Sequence, residues 1–196
     1  MKVEIKESIL SEVFDKHKAS ISSLTIHKLA LIAEEVYFPR GSMVLGINQT
    51  QAFVYIIVSG LAKSYITDKQ GNEIVRNFML EKDFLLGEGL FSNTSLESFD
   101  AIEALNCLRF KAEDLKQCIM EDNQLRDFYI KTLESTLRYK MQREYAFQNL
   151  SAKERYKMFK DTFGQAEKRI PQKQVASYIG IKKESLSRIR KNFNYD

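Results

Sequence analysis

The side chains best equipped for chemistry lie near the end of the sequence, where cations stand beside a carboxylate at helical spacing. Glu184 and Arg188 are four residues apart, which places them on one side of a helix, and Lys183 directly precedes Glu184. Arginine can donate two hydrogen bonds to guanine, and glutamate can accept one from cytosine. Nearby polar side chains could bind phosphates and fix the register: Gln172, Lys173, Lys182, Ser187 and Lys191. This pattern is typical of a nucleic-acid interface.

The surrounding segment has the spacing of two helices joined by a sharp turn. Pro171 suits the first turn of a helix, and Ala176 is small enough to let a second helix approach closely. Gly180 follows four residues later, where the turn needs a residue that tolerates positive φ. Leu186 and Ile189 then return the apolar face of the second helix to the first. The spacing predicts a helix-turn-helix; the alternative is a plain pair of packed surface helices.

Charge is unevenly distributed between this segment and the rest of the chain. Residues 151–196 contain 12 lysines and arginines against 5 aspartates and glutamates, whereas residues 1–150 contain 18 against 21. A basic tail on an acidic body is common where a nucleic-acid module is attached to another domain. Ser151 and Glu154 match a capping box that would begin a helix, and Gly164 would end it.

A long helix is predicted before this segment, from an N-cap at Asp122 to about Asn149. Apolar residues recur on it every four positions. They are Leu125, Tyr129, Leu133, Leu137 and Met141, with Tyr145 continuing the row. Such a row could pair with the same helix of a second copy. Packing against a β domain of the same chain is the competing explanation.

The first half of the chain combines a helical start with several short strands. Residues 1–35 favour helix, whereas Pro39 and Gly41 mark a turn. Strands are predicted at 43–45, 53–58, 61–66, 74–79, 101–105 and 107–110, and a short helix at 112–120. Short strands separated by turns are typical of an antiparallel sandwich or barrel. The expected domains are 1–111, 112–150 and 151–196.

Composition and motif content exclude several other classes of protein. No apolar run is long enough for a membrane span, and the N-terminus lacks the apolar core of a signal peptide, so a cytoplasmic protein is expected. Cys107 and Cys118 are too few for a disulfide framework or an iron–sulfur cluster. His17 and His27 lack the spacing of a helical metal pair. No metal site, cofactor or catalytic set is predicted, and we expect a protein that is not an enzyme.

Nearly the whole sequence resembles the Crp–Fnr family of bacterial transcription regulators. The resemblance lies in Gly41, in the run Tyr55-Ile56-Ile57-Val58-Ser59-Gly60, in Gly71, in Phe84-Leu85-Leu86-Gly87-Glu88 and in residues 179–189. It implies an N-terminal antiparallel double-stranded β-roll of the cyclic-nucleotide-binding type, a long central dimerisation helix and a DNA-binding helix-turn-helix. The equivalents of Lys183, Glu184 and Arg188 contact bases in such relatives, so the resemblance implies that these three are the base-reading residues. The resemblance places a candidate effector pocket at Gly87, Glu88, Glu97 and Ser98, and makes RNA polymerase a candidate partner.

The sequence departs from the family pattern at two places. Relatives that bind cAMP carry an arginine a few residues beyond the Gly-Glu motif, whereas Glu97 stands at the expected position here. A carboxylate repels the cyclic phosphate, so we expect no response to cAMP and leave another small effector open. The central helix lacks a Thr-Ser pair near Tyr139. Only residues 192–196 follow the second helix of the motif, so the wing hairpin of relatives is expected to be absent or truncated.

Together these features predict an α+β fold: a jelly-roll sensor domain with flanking helices, a dimerisation helix and an all-α helix-turn-helix. The predicted protein is a homodimeric transcription regulator that binds an inverted-repeat operator in double-stranded DNA. The alternative is a cyclic-nucleotide-responsive or protein-interaction module whose helical tail binds a protein partner.

Overall fold

The computed structural model describes residues 1–87, 89–91 and 94–193. Its first elements are two helices, α1 (Val3–Lys16) and α2 (Ser23–Ile32). The sequence predicted one helical region here, but the chain turns at Lys18, whose φ is +54°. Ser22 then begins the second helix, because its hydroxyl accepts a hydrogen bond from the Thr25 amide at 3.1 Å.

Two four-stranded sheets follow and form a β-roll. The strands are β1 (Glu34–Phe38), β2 (Met43–Leu45), β3 (Phe53–Ser59), β4 (Ala62–Thr67), β5 (Glu73–Met79), β6 (Phe84–Leu85), β7 (Ser98–Ala101) and β8 (Leu105–Lys111). The first sheet has the order β1-β8-β3-β6 and the second the order β2-β7-β4-β5. The pairs β1–β8, β3–β8, β3–β6 and β2–β7 are antiparallel. This is the predicted fold class.

The predicted strands at 43–45, 53–58, 61–66 and 74–79 agree with β2 to β5 to within a residue or so. The prediction of a strand at 101–105 is wrong, because residues 102–104 are not part of a strand: β7 ends at Ala101 and β8 begins at Leu105. There the amides of Ile102 and Glu103 both donate to the Leu61 carbonyl, at 2.8 and 3.1 Å, which ends the pairing of β7. Strand β1 was not predicted, and its first two residues were assigned to the helical start; it forms because it pairs with β8 through five residues in register.

Buried side chains cover both faces of the first sheet and form two separate cores. Side chains of β3 alternate between them, as expected from the two-residue period of a strand. Ile57 packs inside the roll with Leu105 and Cys107. Val54 and Ile56 point the other way and pack against the helices. One face of this sheet therefore fills the roll, and the other forms a second core with α1, α2 and the helices described next.

Two helices connect the sheets to the C-terminal segment: α3 (Ala112–Glu121) and α4 (Asn123–Asn149). Asp122 caps α4 as predicted, since its Oδ1 accepts from the amides of Gln124 at 2.8 Å and Leu125 at 3.1 Å. These bonds and one from the Thr25 hydroxyl hold the Asp122 pKa below its usual value, with the Thr25 bond the largest cause. At 27 residues, α4 is about 40 Å long.

The remaining elements are α5 (Ala152–Phe163), a short 3-10 helix (Gly164–Arg169), α6 (Gln172–Tyr178) and α7 (Lys183–Phe193). The predicted capping box is present, with the Ser151 amide donating to Glu154 at 2.7 Å and the Glu154 amide donating to the Ser151 hydroxyl at 3.3 Å. Gly164 ends α5 with φ +50°. In the part of the chain described here, no helix is both long and apolar enough to cross a membrane.

The chain divides into two compact units. One contains residues 1–64 and 78–135, and the other contains residues 65–77 and 136–196. The second unit thus combines the outer part of the β4–β5 hairpin with the end of α4 and all later helices. The domain boundaries expected from the sequence, at residues 111 and 150, remain a prediction about independently folding segments.

Candidate nucleic-acid interface and effector site

The turn between α6 and α7 has the geometry that the sequence predicted. Gly180 adopts φ +70°, a conformation that costs other residues roughly 1–2 kcal/mol. The Ile181 amide donates to the Ala176 carbonyl at 3.0 Å, and the Gly180 amide donates to the Ser177 carbonyl at 3.1 Å. A Cβ at Gly180 would lie 2.5 Å from Cε1 of Phe147. Both the backbone conformation and the neighbouring ring therefore favour glycine here.

Apolar side chains hold the two helices together at this turn. Val175, Ala176 and Ile179 are buried on α6, and Leu186 is fully buried on α7. The small side chain of Ala176 allows the close approach that the spacing predicted. Burial of side chains such as Leu186 and Ile179 contributes about 1.5–3 kcal/mol each. This contact fixes which side of α7 faces outward.

An ion pair that sequence reasoning missed also orients α7. Arg190 donates through Nη2 to Glu167 at 2.7 Å and through Nε to the Tyr156 hydroxyl at 3.1 Å. The Tyr156 hydroxyl itself donates to Glu167 at 2.5 Å. Burial, followed by the bond to Glu167, raises the Tyr156 pKa. Arg190 is therefore an internal tether, and the one sequence signal for it was its position four residues after the buried Leu186.

The outward side of α7 carries the predicted base-reading residues. Lys183, Glu184 and Arg188 are exposed, and Lys191 is exposed one turn further on. At about 100° per residue, Glu184, Arg188 and Lys191 lie opposite the side on which Leu186 is buried, whereas Lys183 is exposed at the start of the helix, about 60° from Leu186. Ser187 lies among them and is half-buried, whereas Gln172, Lys173 and Lys182 are exposed on α6 and in the turn. The surface thus presents five cations, at 173, 182, 183, 188 and 191, with Glu184 as its carboxylate.

Polar contacts connect α6 to the β4–β5 hairpin and to α4. The Ser177 hydroxyl donates to the Glu73 carbonyl at 2.8 Å and accepts from the Val75 amide at 3.0 Å. The Tyr139 hydroxyl donates to Asn77 Oδ1 at 2.9 Å and lies 2.8 Å from the Tyr178 hydroxyl. Burial raises the Tyr139 pKa strongly. These contacts fix α6, and residues so distant in sequence gave no signal of them.

The structure brings two of the four residues predicted for the effector pocket, Gly87 and Glu97, to the same neighbour, Ser95. The Gly87 amide donates to Gln51 Oε1 at 2.8 Å, and Ser95 lies beside both, since a Cβ at Gly87 would be 3.1 Å from its hydroxyl. The Glu97 amide donates to the Ser95 hydroxyl at 3.3 Å. Ser98 is buried and accepts from the Ile47 amide at 3.0 Å. Glu88, the fourth predicted residue, lies outside the described residues.

Gln51 and Ser95 belong to this pocket, and sequence reasoning missed both. Each is more than nine-tenths buried, and Gln51 Nε2 has no hydrogen-bond partner among the described residues. A buried amide without a partner is uncommon in folded proteins. Gln51 comes just before β3, where a glutamine gave no sequence signal of a pocket.

The apolar row predicted on α4 changes its environment along the helix. Leu125 is buried in the helix-facing core and Tyr129 packs against the same core. Beyond them Leu133 is 38% exposed, Leu137 61%, and Met141 62%. Tyr145 continues the row at 61% exposed. The exposed part of the row therefore begins at Leu133. Leu125 and Tyr129, the first two predicted members, stabilise the unit formed by residues 1–64 and 78–135, which is called the sheet unit below.

Burial lowers the acidity of both cysteine thiols, and Cys107 is the more deeply buried of the two. Cys107 is fully buried, and burial raises its pKa to about 12. Burial also raises the pKa of the half-buried Cys118. Within the described residues, no group of three or more His, Cys, Asp or Glu side chains could hold a metal ion.

Comparisons with known proteins support the sheet unit and the overall fold. The family model of the cyclic nucleotide-binding domain matches residues 35–122. The chain is similar to FixK2 from Bradyrhizobium japonicum, with 19% sequence identity and a TM-score of 0.75 over 84% of this chain and 85% of that one. It is also similar to CLP from Xanthomonas campestris, described as a c-di-GMP-responsive global regulator, with 16% identity and a TM-score of 0.73 over 89% and 93%.

A third similar structure is the sensor domain of the transcriptional regulator DNR from Pseudomonas aeruginosa, with 15% identity and a TM-score of 0.60 over 71% of this chain and 93% of that domain. No curated protein sequence matches this chain. Residues 35–122 therefore match the cyclic nucleotide-binding domain, and the fold of the chain is similar to the folds of FixK2 and CLP, in line with the sequence resemblance.

Proposed function

We propose that this chain is a sequence-specific DNA-binding transcription regulator of the Crp–Fnr type. The observation that carries the proposal is the outward side of α7, where Lys183, Glu184 and Arg188 are exposed while Arg190 is held inward. The fold shared with FixK2 and CLP supports it. A cytoplasmic location would accompany this role, and contact with RNA polymerase remains a prediction.

In this proposal α7 enters the major groove. Arg188 donates two hydrogen bonds to a guanine, and Glu184 accepts one from a cytosine. Lys183 contacts a third base, and the cations at 173, 182 and 191 bind phosphates. Loss of a good bidentate contact to a base reduces affinity by about 1–3 kcal/mol and relaxes sequence preference at that position.

Selection of bound DNA from a random pool tests the function directly, because a dimer should enrich an inverted repeat with half-sites about one helical turn apart. Arg188→Ala should weaken binding to the selected site by about 5- to 150-fold. Arg40→Ala, which removes the same charge from an exposed position of the other unit, should leave the affinity unchanged. Equal effects of the two substitutions, or a pool without a palindrome, would favour the protein-interaction alternative.

Phosphate contacts are tested by the salt dependence of the same binding. Lys191→Ala should weaken binding to all sequences alike and lower the slope of log K against log salt by about 1. Lys191 would instead be a base-reading residue if the substitution changed the selected sequence.

We further propose that the exposed row on α4 forms the dimer contact. Leu133, Leu137, Met141 and Tyr145 are spaced four residues apart, which suits pairing of the same row on two helices. Met141→Glu should shift the mass measured by light scattering from dimer to monomer, because it places two carboxylates in an apolar contact. Gln142→Glu adds the same charge at the adjacent exposed position and should leave the dimer intact. A monomeric unmodified protein at micromolar concentration would remove this proposal.

For the effector pocket, we propose that cAMP is not the ligand. The Glu97 amide donates to Ser95, which lies beside Gly87, and a carboxylate at this position would repel a bound phosphate. Calorimetric titration of the unmodified protein should therefore give no heat of binding with cAMP, and Glu97→Arg should strengthen any binding. The match to the cyclic nucleotide-binding domain and the c-di-GMP response described for CLP make a nucleotide-responsive module the second candidate. The same titration with c-di-GMP tests it.

A further inference from the structure

The helix-facing side of the first sheet contains a cavity that is separate from the predicted effector pocket. Its volume is about 70 Å³, and it lies between β3, β8 and the helices α1 to α4. Val54 and Phe110 form its floor on the sheet, and Leu29 and Leu115 form walls on α2 and α3. All of its lining residues belong to the sheet unit.

The chemistry of the walls restricts what the cavity can hold. Among the described residues no charged side chain lines it, and there Tyr129 and Thr132 supply its only side-chain polar groups. The Thr132 hydroxyl donates to the Phe128 carbonyl at 2.9 Å, and the Tyr129 hydroxyl accepts from the Leu90 amide at 3.1 Å. A charged or strongly polar ligand would lose its hydration without compensation in such a space. Apolar cavities of this kind stay free of water and bind apolar molecules.

The position of the cavity connects it to the long helix. Phe128, Tyr129 and Thr132 line it from α4, one turn before the exposed row begins at Leu133. Leu86 and Leu90 line it from the segment that contains Gly87. A molecule in the cavity would therefore contact α4 directly as well as the chain that leads to the effector pocket.

We propose that this cavity is a binding site for a small uncharged apolar molecule and that its occupancy changes the packing of α4. The volume is about half of the ~150 Å³ that accepts benzene in an engineered apolar cavity, so the unmodified site suits xenon or a short alkyl group. Binding itself is independent of the DNA-binding proposal; an effect on operator affinity rests on it.

Xenon-dependent methyl NMR shifts of the full chain test the site. Xenon should shift methyl resonances of Val54 and Leu115 and also those of Leu125 on α4. Leu29→Phe should weaken xenon binding at least about tenfold, because the ring occupies the cavity. Leu31→Phe makes the same change two residues along α2 at a position that is 58% exposed, and it should have no effect.

A second variant keeps the proposal testable where Leu29→Phe fails to fold. Leu115→Ala enlarges the cavity from the α3 side and should let the protein bind benzene, with a rise in Tm that the unmodified protein does not show. The proposal is overturned if xenon shifts none of the cavity methyls, if the two Phe variants bind it equally, or if α4 resonances stay fixed on binding.

DNA affinity measured with and without benzene in Leu115→Ala then separates the two proposals. Cavity binding without DNA binding would refute the proposed function and leave the site intact. DNA binding by a protein whose cavity stays empty would refute the site alone.

Discussion

Gly180→Ala should destabilise the C-terminal unit through two separable costs. The first is the backbone cost of placing alanine at φ +70°, about 1–2 kcal/mol. The second arises because the new Cβ would lie 2.5 Å from the Phe147 ring, which must then move. That ring packs against the guanidinium groups of Arg143 and Arg155, at 5.4 and 5.2 Å, and each contact contributes roughly 0.5–1 kcal/mol. We expect a total loss of about 2–4 kcal/mol.

A second glycine supplies the control for the backbone cost. Gly164 lies in the same unit at φ +50°, and a Cβ there would meet nothing within 4 Å. Gly164→Ala should therefore cost about 1–2 kcal/mol. Phe147→Ala should remove the steric part, so that Gly180→Ala costs no more than Gly164→Ala in that background. Urea unfolding followed by circular dichroism measures all of these differences.

The result that would refute this reasoning is equal destabilisation by Gly180→Ala and Gly164→Ala in the unmodified background. Phe147 would then move aside at no cost, and close packing against the turn would not be the reason for glycine at 180. DNA affinity should follow the same order as stability, because the turn sets the angle between α6 and α7. A stable Gly180→Ala protein with unchanged operator affinity would contradict that link.

Three further predictions concern stability and reactivity. Asp122→Ala should lower the free energy of urea unfolding by about 0.5–2 kcal/mol, because the N-cap is lost. The pKa of Asp122 is lower in the folded state, so the stability that this cap supplies is present above the unfolded pKa and is lost as the pH falls through the folded pKa. Glu167→Gln should cost about 1–3 kcal/mol, because it leaves the charge of the partly buried Arg190 without a carboxylate; an unchanged unfolding midpoint would exclude the tether. Maleimide should label Cys118 and spare Cys107 in the native protein, because little thiolate forms at a Cys107 pKa of about 12. Mass spectrometry of the peptides would show this difference. Equal labelling of both cysteines would contradict the burial of Cys107.

Elements with local signals could be predicted from the sequence. The start of α4 was predictable because Asp122 bonds amides two and three residues away, and the capping box at Ser151 is equally local. The turn at Gly180 was predictable because positive φ restricts the residue type. Strand β1 was not, since Glu34 and Glu35 have a charged local context. It forms through pairing with β8, where Arg109 donates to Glu34 at 2.8 Å.

The same difference between local signals and contacts between distant residues applies to the candidate sites. The base-reading residues belong to one helix, so the 3.6-residue period was enough to place Glu184 and Arg188 on one side, and Lys183 is exposed in the first turn. The inward direction of Arg190 depends on Glu167, 23 residues earlier. The hydrogen bond from the Gly87 amide to Gln51 joins residues that are 36 positions apart in the sequence. The apolar cavity takes its walls from helices and strands spread between residues 10 and 132, and no periodicity in one segment could indicate it.

The size of the cavity limits how strongly an occupant could control DNA binding. Each buried methylene contributes about 0.8 kcal/mol, so an occupant of two or three such groups supplies roughly 2 kcal/mol if it binds only one arrangement of α4. A difference of 1.4 kcal/mol changes an equilibrium about tenfold, whereas a switch from 1:99 to 99:1 needs about 5.5 kcal/mol. Occupancy of this cavity would therefore adjust operator affinity within about 30-fold. A larger response to a small apolar molecule would require the cavity to expand, which a change in the α4 resonances would report.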